Sequence, residues 1–453
     1  MGLRTRKIGL AIVAMLALPV PALAETLSDA LASAYRNSGL IEQNRAVLRA
    51  ADEDVAQAVA ALRPVFNYAL AANYTDPSIS DEFAITASLS GSLLLYDFGR
   101  SQLGIDAAKE TVLATRAGLV DIENTVLLNT VSAYLGVRRS RAFVELRNNN
   151  VRLLTEQLRA TRDRFDVGEV TRTDVSLAEA RLAAARSGLA AEQGGLAQAR
   201  EQFKAVVGRY PGQLAAPPRT PKVPKSEKLA KGQAHQYNPQ LKQVQHQVKA
   251  AELGVERAKR SKLPSLDATT RLSIDDDGDD SASLGVTLSG PIYQGGAIAS
   301  GQRQAQALRD QVRAQLYTTG LLVEQQVGNA YANLAVAIAS IDASNRQVMA
   351  AELALEGVRE ELQLGARTTL EVLDQEQELL DAQTSRVSAD VDRHLAVYQI
   401  LDSIGLLTAE HLGLNVPIYD PAAYYNAVKG APTHDVSPQG KKLDKLFQAI
   451  GRN

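Results

Sequence analysis

The chain contains the same pattern of residues twice, and this duplication constrains its fold more than any other feature. Residues 50–55 match residues 250–255 at an offset of 200. From Tyr96 and Tyr293 onward the offset is 197, and it stays constant for about eighty residues. A repeat at fixed spacing indicates that both copies fold into the same succession of elements. The three-residue change falls where each copy is predicted to carry a β-hairpin.

Each copy is predicted to run helix, strand, loop, strand, long helix, turn, helix. Apolar or small residues occupy every second position of four segments: Phe66, Tyr68, Leu70, Ala72 and Tyr74; Phe83, Ile85, Ala87, Leu89, Gly91, Leu93 and Leu95; Leu266, Ala268, Thr270, Leu272 and Ile274; Leu284, Val286 and Leu288. One face of such strands suits lipid and the other suits water, as in a transmembrane barrel. A half-buried strand of a soluble sandwich would alternate in the same way. Tyr96 and Tyr293 are expected to close the second strand of each copy.

After each hairpin the apolar period changes from two to three and a half. Apolar residues lie seven apart in four series: Ile105, Val112, Leu119 and Val126; Val144, Val151, Leu158 and Phe165; Val175, Leu182, Leu189, Leu196 and Phe203; Ile341, Val348, Leu355 and Leu362. Sustained heptads predict helices that supercoil around neighbours. The proline-free stretch from Phe98 to Phe165 would form one helix on the order of 100 Å long. Such a helix needs packing partners along its whole length.

Each chain supplies four candidate membrane strands, and four strands cannot close into a barrel. An open sheet edge in lipid leaves backbone N–H and C=O groups unpaired, at several kcal/mol each. Closure therefore requires more than one chain, and the long helices need partners for the same reason. The residues alone do not choose between two chains, with eight strands, and three chains, with twelve.

The ends of the chain and its middle differ from the two copies. Residues 1–24 predict a signal peptide, with a charged start, an apolar core and Ala22-Leu23-Ala24 before the cleavage point. An N-terminal membrane anchor is disfavoured because the apolar core is shorter than the ~20 residues that span a bilayer. The remaining assignments are 25–214 to the first repeat, 215–228 to a proline-rich linker, 229–407 to the second repeat and 408–453 to a partly disordered C-terminal tail.

Composition argues against several classes of function. Without residues 1–24 the chain would hold 46 basic and 51 acidic residues, whereas nucleic-acid binding needs a basic face. The absence of cysteine removes disulfides, thiol chemistry and an acceptor for an N-terminal lipid. No catalytic constellation, cofactor motif or metal-ligand spacing is found, and we expect no enzyme, cofactor or metal site. His394 is expected on a helix surface, and the acidic segment 275–280 as a solvated loop rather than a calcium site.

Three motifs resemble those of the TolC family of outer-membrane export channels. They are Leu95-Tyr96-Asp97-Phe98-Gly99, Phe165-Asp166-Val167-Gly168-Glu169-Val170-Thr171-Arg172-Thr173-Asp174-Val175, and Leu364-Gly365-Ala366-Arg367-Thr368-Thr369-Leu370-Glu371-Val372-Leu373-Asp374. The resemblance spans about residues 26–407. It implies an α+β membrane protein, a homotrimer with a 12-stranded barrel above a tunnel of long coiled-coil helices. It also implies an outer-membrane location with a large periplasmic portion, a periplasmic adaptor and an inner-membrane transporter.

The resemblance also assigns roles at the two helix-turn-helix tips. Gly168 and Gly365 are expected to take positive φ, and with Glu169 and Ala366 they would form the tips that contact the adaptor. Glu371 and Asp374 would form a ring of carboxylates around the tunnel entrance, and a link between Arg367 and Asp174 would hold neighbouring coils shut. The family has a tyrosine where this chain has Leu362, so Arg172 is an alternative partner. Ordinary acidic helix starts would explain the same charges.

The function predicted from these features is a passive conduit in a tripartite export system, opened from its periplasmic end. The missing lipid-acceptor cysteine and the arginine at the entrance favour type I protein secretion over small-molecule efflux, and one channel can serve both. The alternative from another class is a periplasmic coiled-coil scaffold without channel activity. An enzyme ranks third.

Overall fold

A computed structural model describes residues 24–75 and 82–432 of the chain. The predicted signal peptide, apart from Ala24, lies outside these residues, as do 76–81 and the last part of the predicted tail. In chain order the elements are α1 (Leu27–Asn37), α2 (Gly39–Ala60), β1 (Val65–Thr75), β2 (Glu82–Tyr96), α3 (Arg100–Asp166), α4 (Arg172–Val207), α5 (Glu227–Tyr237), α6 (Pro239–Arg260), β3 (Ser265–Asp275), β4 (Asp280–Ser289), α7 (Ala297–Gln363), α8 (Thr369–Ile404) and α9 (Pro421–Val428).

The element boundaries confirm the duplication. The bounds of α1, α2 and β1 recur in α5, α6 and β3 at an offset of 200, and those of α3 and α4 recur in α7 and α8 at 197. Both long helices begin directly after a glycine in the left-handed region, Gly99 (φ 76°) or Gly296 (φ 86°). Glycine adopts that conformation without a steric penalty, so the chain can turn sharply from strand into helix in both copies.

The first helix of each copy was predicted as one element and is two. Ser38 separates α1 from α2, and its side chain accepts a hydrogen bond from the N–H of Ile41. Asn238 separates α5 from α6 at the equivalent position, and Pro239 follows it at the first helical position. Capping side chains and an N-terminal proline both favour the start of a new helix, which explains the break.

The four strands form one antiparallel sheet in the order β1-β2-β3-β4, so the two copies meet where β2 pairs with β3. The strand prediction is confirmed, and its apolar face is open: the side chains of Phe66, Tyr68, Leu70, Tyr74, Leu284, Val286 and Leu288 are all exposed. An apolar sheet face of this extent requires another apolar environment. Within the described residues, β1 and β4 are edge strands.

The expected end of the fourth strand is wrong. β4 ends at Ser289, and Tyr293 lies beyond it in the coil that leads to α7. Pro291 explains the early end, because proline has no N–H to donate to the ladder with β3. Tyr96, by contrast, is the last residue of β2.

The long helices confirm the heptad prediction. α3 and α7 have 67 residues each and are therefore about 100 Å long. Heptad residues from all four series are buried, among them Ile105, Leu158, Leu182, Val348 and Leu355. α3 packs on α4, α7 packs on α8, and α8 also packs on α3, which joins the two coils. In the part of the chain that the structure describes, no helix is long and apolar enough to cross a membrane.

His394 is buried rather than on a helix surface, which corrects the sequence prediction. Its exposed fraction is 8%, and its Nδ1–H donates a hydrogen bond to the carbonyl oxygen of Asp390 at 2.9 Å. The physical reason is that α8 packs against both α3 and α7, so little of its circumference faces solvent.

The proline-rich linker packs against the helices in both copies in the same manner. The hydroxyl of Tyr134 on α3 lies 2.8 Å from the carbonyl oxygen of Ala215 and 3.0 Å from that of Glu25. The hydroxyl of Tyr331, its counterpart on α7, donates to the carbonyl oxygen of Pro224 at 2.6 Å. Two equivalent tyrosines therefore fix the two ends of the linker to the long helices.

Candidate functional site at the hairpin tips

Each long helix ends two residues before a glycine, and the chain then turns back into the next helix. Gly168 (φ 79°) and Gly365 (φ 74°) both lie in the left-handed region, as predicted. The N–H of Glu169 donates to the carbonyl oxygen of Arg164, and that of Ala366 donates to Glu361, both at 2.9 Å. These bonds satisfy carbonyls that the helix ends leave free. The two tips are therefore equivalent in backbone geometry.

The helix after each tip begins with a capping box. The carboxylate of Asp174 accepts hydrogen bonds from the N–H (2.9 Å) and hydroxyl (2.8 Å) of Thr171. In the second copy Glu371 accepts the same two bonds from Thr368, at 2.8 and 3.0 Å. An acid three residues after a threonine satisfies free N–H groups at a helix start. Both acids thus stabilise the first turn of their own helix, whatever else they do.

Arg367 links the second tip to both helices that meet there. Its guanidinium donates to Glu361 of α7 at 2.7 Å and to Glu371 of α8 at 2.8 Å. Hydrogen bonds from the Thr368 N–H and from Arg367 hold the pKa of Glu371 below its ordinary value, and hydrogen bonds to Glu361 and Glu371 raise the pKa of Arg367. Among the described residues, Arg367 forms no hydrogen bond or ion pair with Asp174.

Asp374, the second acid of the expected ring, forms an ion pair that the sequence did not reveal. Its carboxylate accepts a hydrogen bond from Arg181 of α4 at 2.5 Å. Beside it, Leu373 of α8 is buried in a cluster with α3 and α4 residues that includes Leu154 and Leu182. Asp374 and Leu373 together tie the second coil to the first near the tips.

Arg181 could not be paired from the sequence, because that step requires knowing which helices adjoin. A different pair could have been found from the repeat. Arg162 of α3 binds Glu179 of α4 at 2.5 Å, and Arg359 of α7 binds Glu376 of α8 at 2.8 Å. The second of these ion pairs is the first one repeated at an offset of 197. An arginine and a glutamate at equivalent positions of both copies could have predicted this pairing from the sequence.

The remaining sequence-predicted residues make fewer contacts. Arg172, the alternative partner for the latch, forms no ion pair within residues 24–75 and 82–432, and Leu362 is half-buried. Among the same residues, no group of three or more histidine or acidic side chains is placed to hold a metal ion. In the acidic segment 275–280, one carboxylate oxygen of Asp275 accepts the N–H of Asp279 at 2.8 Å and so stabilises the hairpin turn.

The chain thus combines a small sheet that has an exposed apolar face with two coils of very long helices that end in capped tips. Residues 30–209 and 231–406 match the family described as outer membrane efflux protein. The chain is 35% identical over 417 residues to the outer membrane efflux protein BepC of Brucella suis, covering 90% of this chain and 91% of BepC.

Two further comparisons agree. The chain is 26% identical over 432 residues to the outer membrane protein TolC of Escherichia coli, covering 88% of this chain and 86% of TolC. The solved structure of the Campylobacter jejuni CmeC outer membrane channel has the same fold, with a TM-score of 0.77 at 14% identity over 96% of this chain and 98% of that one.

The chain belongs to the outer membrane efflux protein family, the family of TolC-like channels. It is an outer-membrane channel protein for export with a periplasmic portion. This membership decides between the two functions left open by the sequence, in favour of the channel over the scaffold.

Proposed function

We propose that three copies of this chain form one conduit, with a 12-stranded barrel in the outer membrane and a 12-helix tunnel in the periplasm. The observation that carries the proposal is the single four-stranded sheet, with an exposed apolar face and with β1 and β4 as edges. Pairing β4 of one copy with β1 of the next removes every edge once the ring closes. Three copies agree with the family fold.

The helices give independent support for several copies. α7 exposes large apolar side chains along its length, among them Leu308, Leu322, Val336, Met349 and Leu353. No helix among residues 24–75 and 82–432 covers these side chains. Apolar side chains in a row on a long helix are stabilised by packing on another helix, and a second copy of the chain supplies one.

Native mass spectrometry of the detergent-extracted protein tests the assembly. We expect a trimer, since three chains supply twelve strands and twelve long helices. A dimer would indicate an eight-stranded barrel. A monomer that stays in solution without detergent would contradict the proposal, because its apolar sheet face would then be stable in water.

The conduit would work without chemistry of its own and would be opened by partners. We place a periplasmic adaptor at the hairpin tips, around Gly168, Glu169, Gly365 and Ala366, with energy supplied by an inner-membrane transporter. The tips support this placement because Val167 and Leu364, at equivalent positions beside the two glycines, are 72% and 84% exposed. Exposed apolar residues at a loop tip are suited to protein contact.

The entrance would be controlled by charge. In a trimer, Glu371 and Asp374 would place six carboxylates around one constriction and favour cations. The proposed latch between Arg367 and Asp174 would form between neighbouring chains, since within one chain Arg367 binds Glu361 and Glu371 instead. The double variant Glu371→Gln/Asp374→Asn should lower cation preference and divalent block. Unchanged selectivity would contradict the assignment of the ring.

Two features of the sequence favour one class of cargo. The absence of cysteine removes lipid attachment, and Arg367 lies at the entrance; both favour type I protein secretion as the first role, with small-molecule efflux as a second role of the same channel. Deleting the gene and measuring both the secreted proteins and the drug sensitivity of the cells separates the two roles. Loss of secreted protein supports the first, and increased drug sensitivity alone supports the second.

A further inference from the structure

A cavity lined by arginines lies midway along the long helices, away from the hairpin tips. It forms where α8 passes between α3 and α7, with Pro217 of the linker at its rim, and its volume is about 570 Å³. The side chains of Leu135, Leu146 and Val387 form an apolar part of its lining. A concave site of this size, lined by both apolar and polar side chains, is large enough for a small organic molecule.

The charges at the cavity are unbalanced. Arg138 and Arg139 of α3 and Arg386 of α8 line it, against one carboxylate, Asp390. Asp390 already binds Arg393, and one nitrogen of Arg138 donates to the carbonyl oxygen of Ala215 at 3.0 Å. Within residues 24–75 and 82–432, Arg139 and Arg386 form no ion pair and no hydrogen bond. Two guanidinium groups are therefore free to bind an anion.

A buried histidine adds a polar group to the same wall. His394 lines the cavity and is 8% exposed. Its Nδ1–H is engaged with the carbonyl oxygen of Asp390, which leaves Nε2 to make a second contact. In the part of the chain that the structure describes, Nε2 has no hydrogen-bond partner. Nε2 of His394 therefore remains available to a ligand that enters the cavity.

We propose that the cavity binds an amphiphilic organic anion, with an apolar ring or chain and one carboxylate, sulfonate or phosphate head group. The head group lies between Arg139 and Arg386, whose planar donors fit such oxyanions in pairs. The apolar body packs against Leu135, Leu146 and Val387. This site is separate from the conduit role, because its ligand stays bound between three helices of one chain rather than passing through the tunnel.

Calorimetric titration of the trimer in nanodiscs of zwitterionic lipid tests the site, with naphthalene-2-sulfonate as the probe. Naphthalene-2-sulfonamide, which has nearly the same shape without the charge, is the control ligand. We expect saturable sulfonate binding at one per chain, and at least tenfold weaker binding of the sulfonamide. The variant Arg139→Gln/Arg386→Gln should weaken sulfonate binding at least tenfold. Arg346→Gln is the matched control, since Arg346 is an exposed α7 arginine paired with Asp342.

Three results would overturn the proposal. They are no saturable binding by the wild-type trimer, equal binding of sulfonate and sulfonamide, and equal sulfonate affinity in the double variant and the Arg346→Gln control. The first would mean that neighbouring chains fill the cavity with their own groups. Where the double variant does not assemble, the comparison of the two ligands on the wild-type protein decides.

Discussion

At the scale of single residues, the two acids at the second hairpin tip have different roles. Glu371 caps α8 and binds Arg367, whereas Asp374 binds Arg181 on a helix of the other coil. Both acids were named from the sequence by resemblance, and the contact of Asp374 with Arg181 does not follow from spacing. A position along one helix shows which face a residue lies on, but not which side chain stands opposite.

Replacing Arg181 should change ion selectivity rather than stability. The pair with Asp374 is about half exposed on both sides, so its loss costs at most about 1 kcal/mol. Arg181→Gln leaves the carboxylate of Asp374 without its counter-charge, so we expect stronger cation preference in planar bilayers. Arg152→Gln, which removes an exposed pair within α3, is the control. An Arg181→Gln channel with the selectivity of that control would contradict the placement of Asp374 at the entrance.

Asp52 should destabilise the protein at neutral pH. It is fully buried in α2, neither carboxylate oxygen accepts a hydrogen bond within the described residues, and the nearest guanidinium nitrogen of Arg116 is 3.9 Å away. Burial raises the pKa of Asp52 to about 6 from 3.8. The protonated carboxyl is therefore favoured in the folded protein. About 3 kcal/mol of the free energy of unfolding at low pH is lost as the pH rises through 6.

Asp52→Asn should therefore raise the unfolding temperature at pH 7.5 and change it little at pH 4. Thermal unfolding in detergent at both pH values measures this, with Asp54→Asn on the exposed side of α2 as control. An equal effect of Asp52→Asn at the two pH values would show that charge burial is not the cause.

At the scale of elements, α8 differs most from its counterpart in the first copy. α8 packs between α3 and α7, and its buried residues include Leu373, Leu380 and His394. The position equivalent to Leu373 in α4 is Ser176, which is exposed. The repeat thus supplies the same backbone twice, while the side chains of α8 join the two coils. Sequence comparison of the copies predicts the shared backbone and misses the burial of His394.

Shortening Leu373 should loosen the junction between the coils. Leu373 is 2% exposed in a cluster with Leu154, Leu158 and Leu182, so Leu373→Ala should cost about 2–5 kcal/mol. Leu370→Ala on the same helix is the control, because Leu370 is 38% exposed. Hydrogen exchange of the tip helices measures both variants. Equal exchange in the two would show that Leu373 does not hold the coils together.

At the scale of the whole molecule, most of the fold could be predicted because it is periodic in the sequence. The chain repeats itself, apolar residues alternate along the strands, and they recur every seven residues along the helices. The four strands and the four long helices follow from those periods. The breaks at Ser38 and Asn238 and the end of β4 before Pro291 depend on single capping or breaking residues, which periodicity does not record. The open sheet edges implied an assembly of several chains, because one chain cannot pair the backbone N–H and C=O groups of its own edge strands.

The most direct test of the channel is the conductance of the purified protein in a planar lipid bilayer. We expect discrete, cation-selective current steps, because the proposed barrel crosses the bilayer and the proposed carboxylate ring lies at its entrance. Inserted protein without current steps would mean that the entrance stays closed until a partner opens it. Failure of the folded protein to insert into the bilayer would contradict the conclusion that these chains form an export channel.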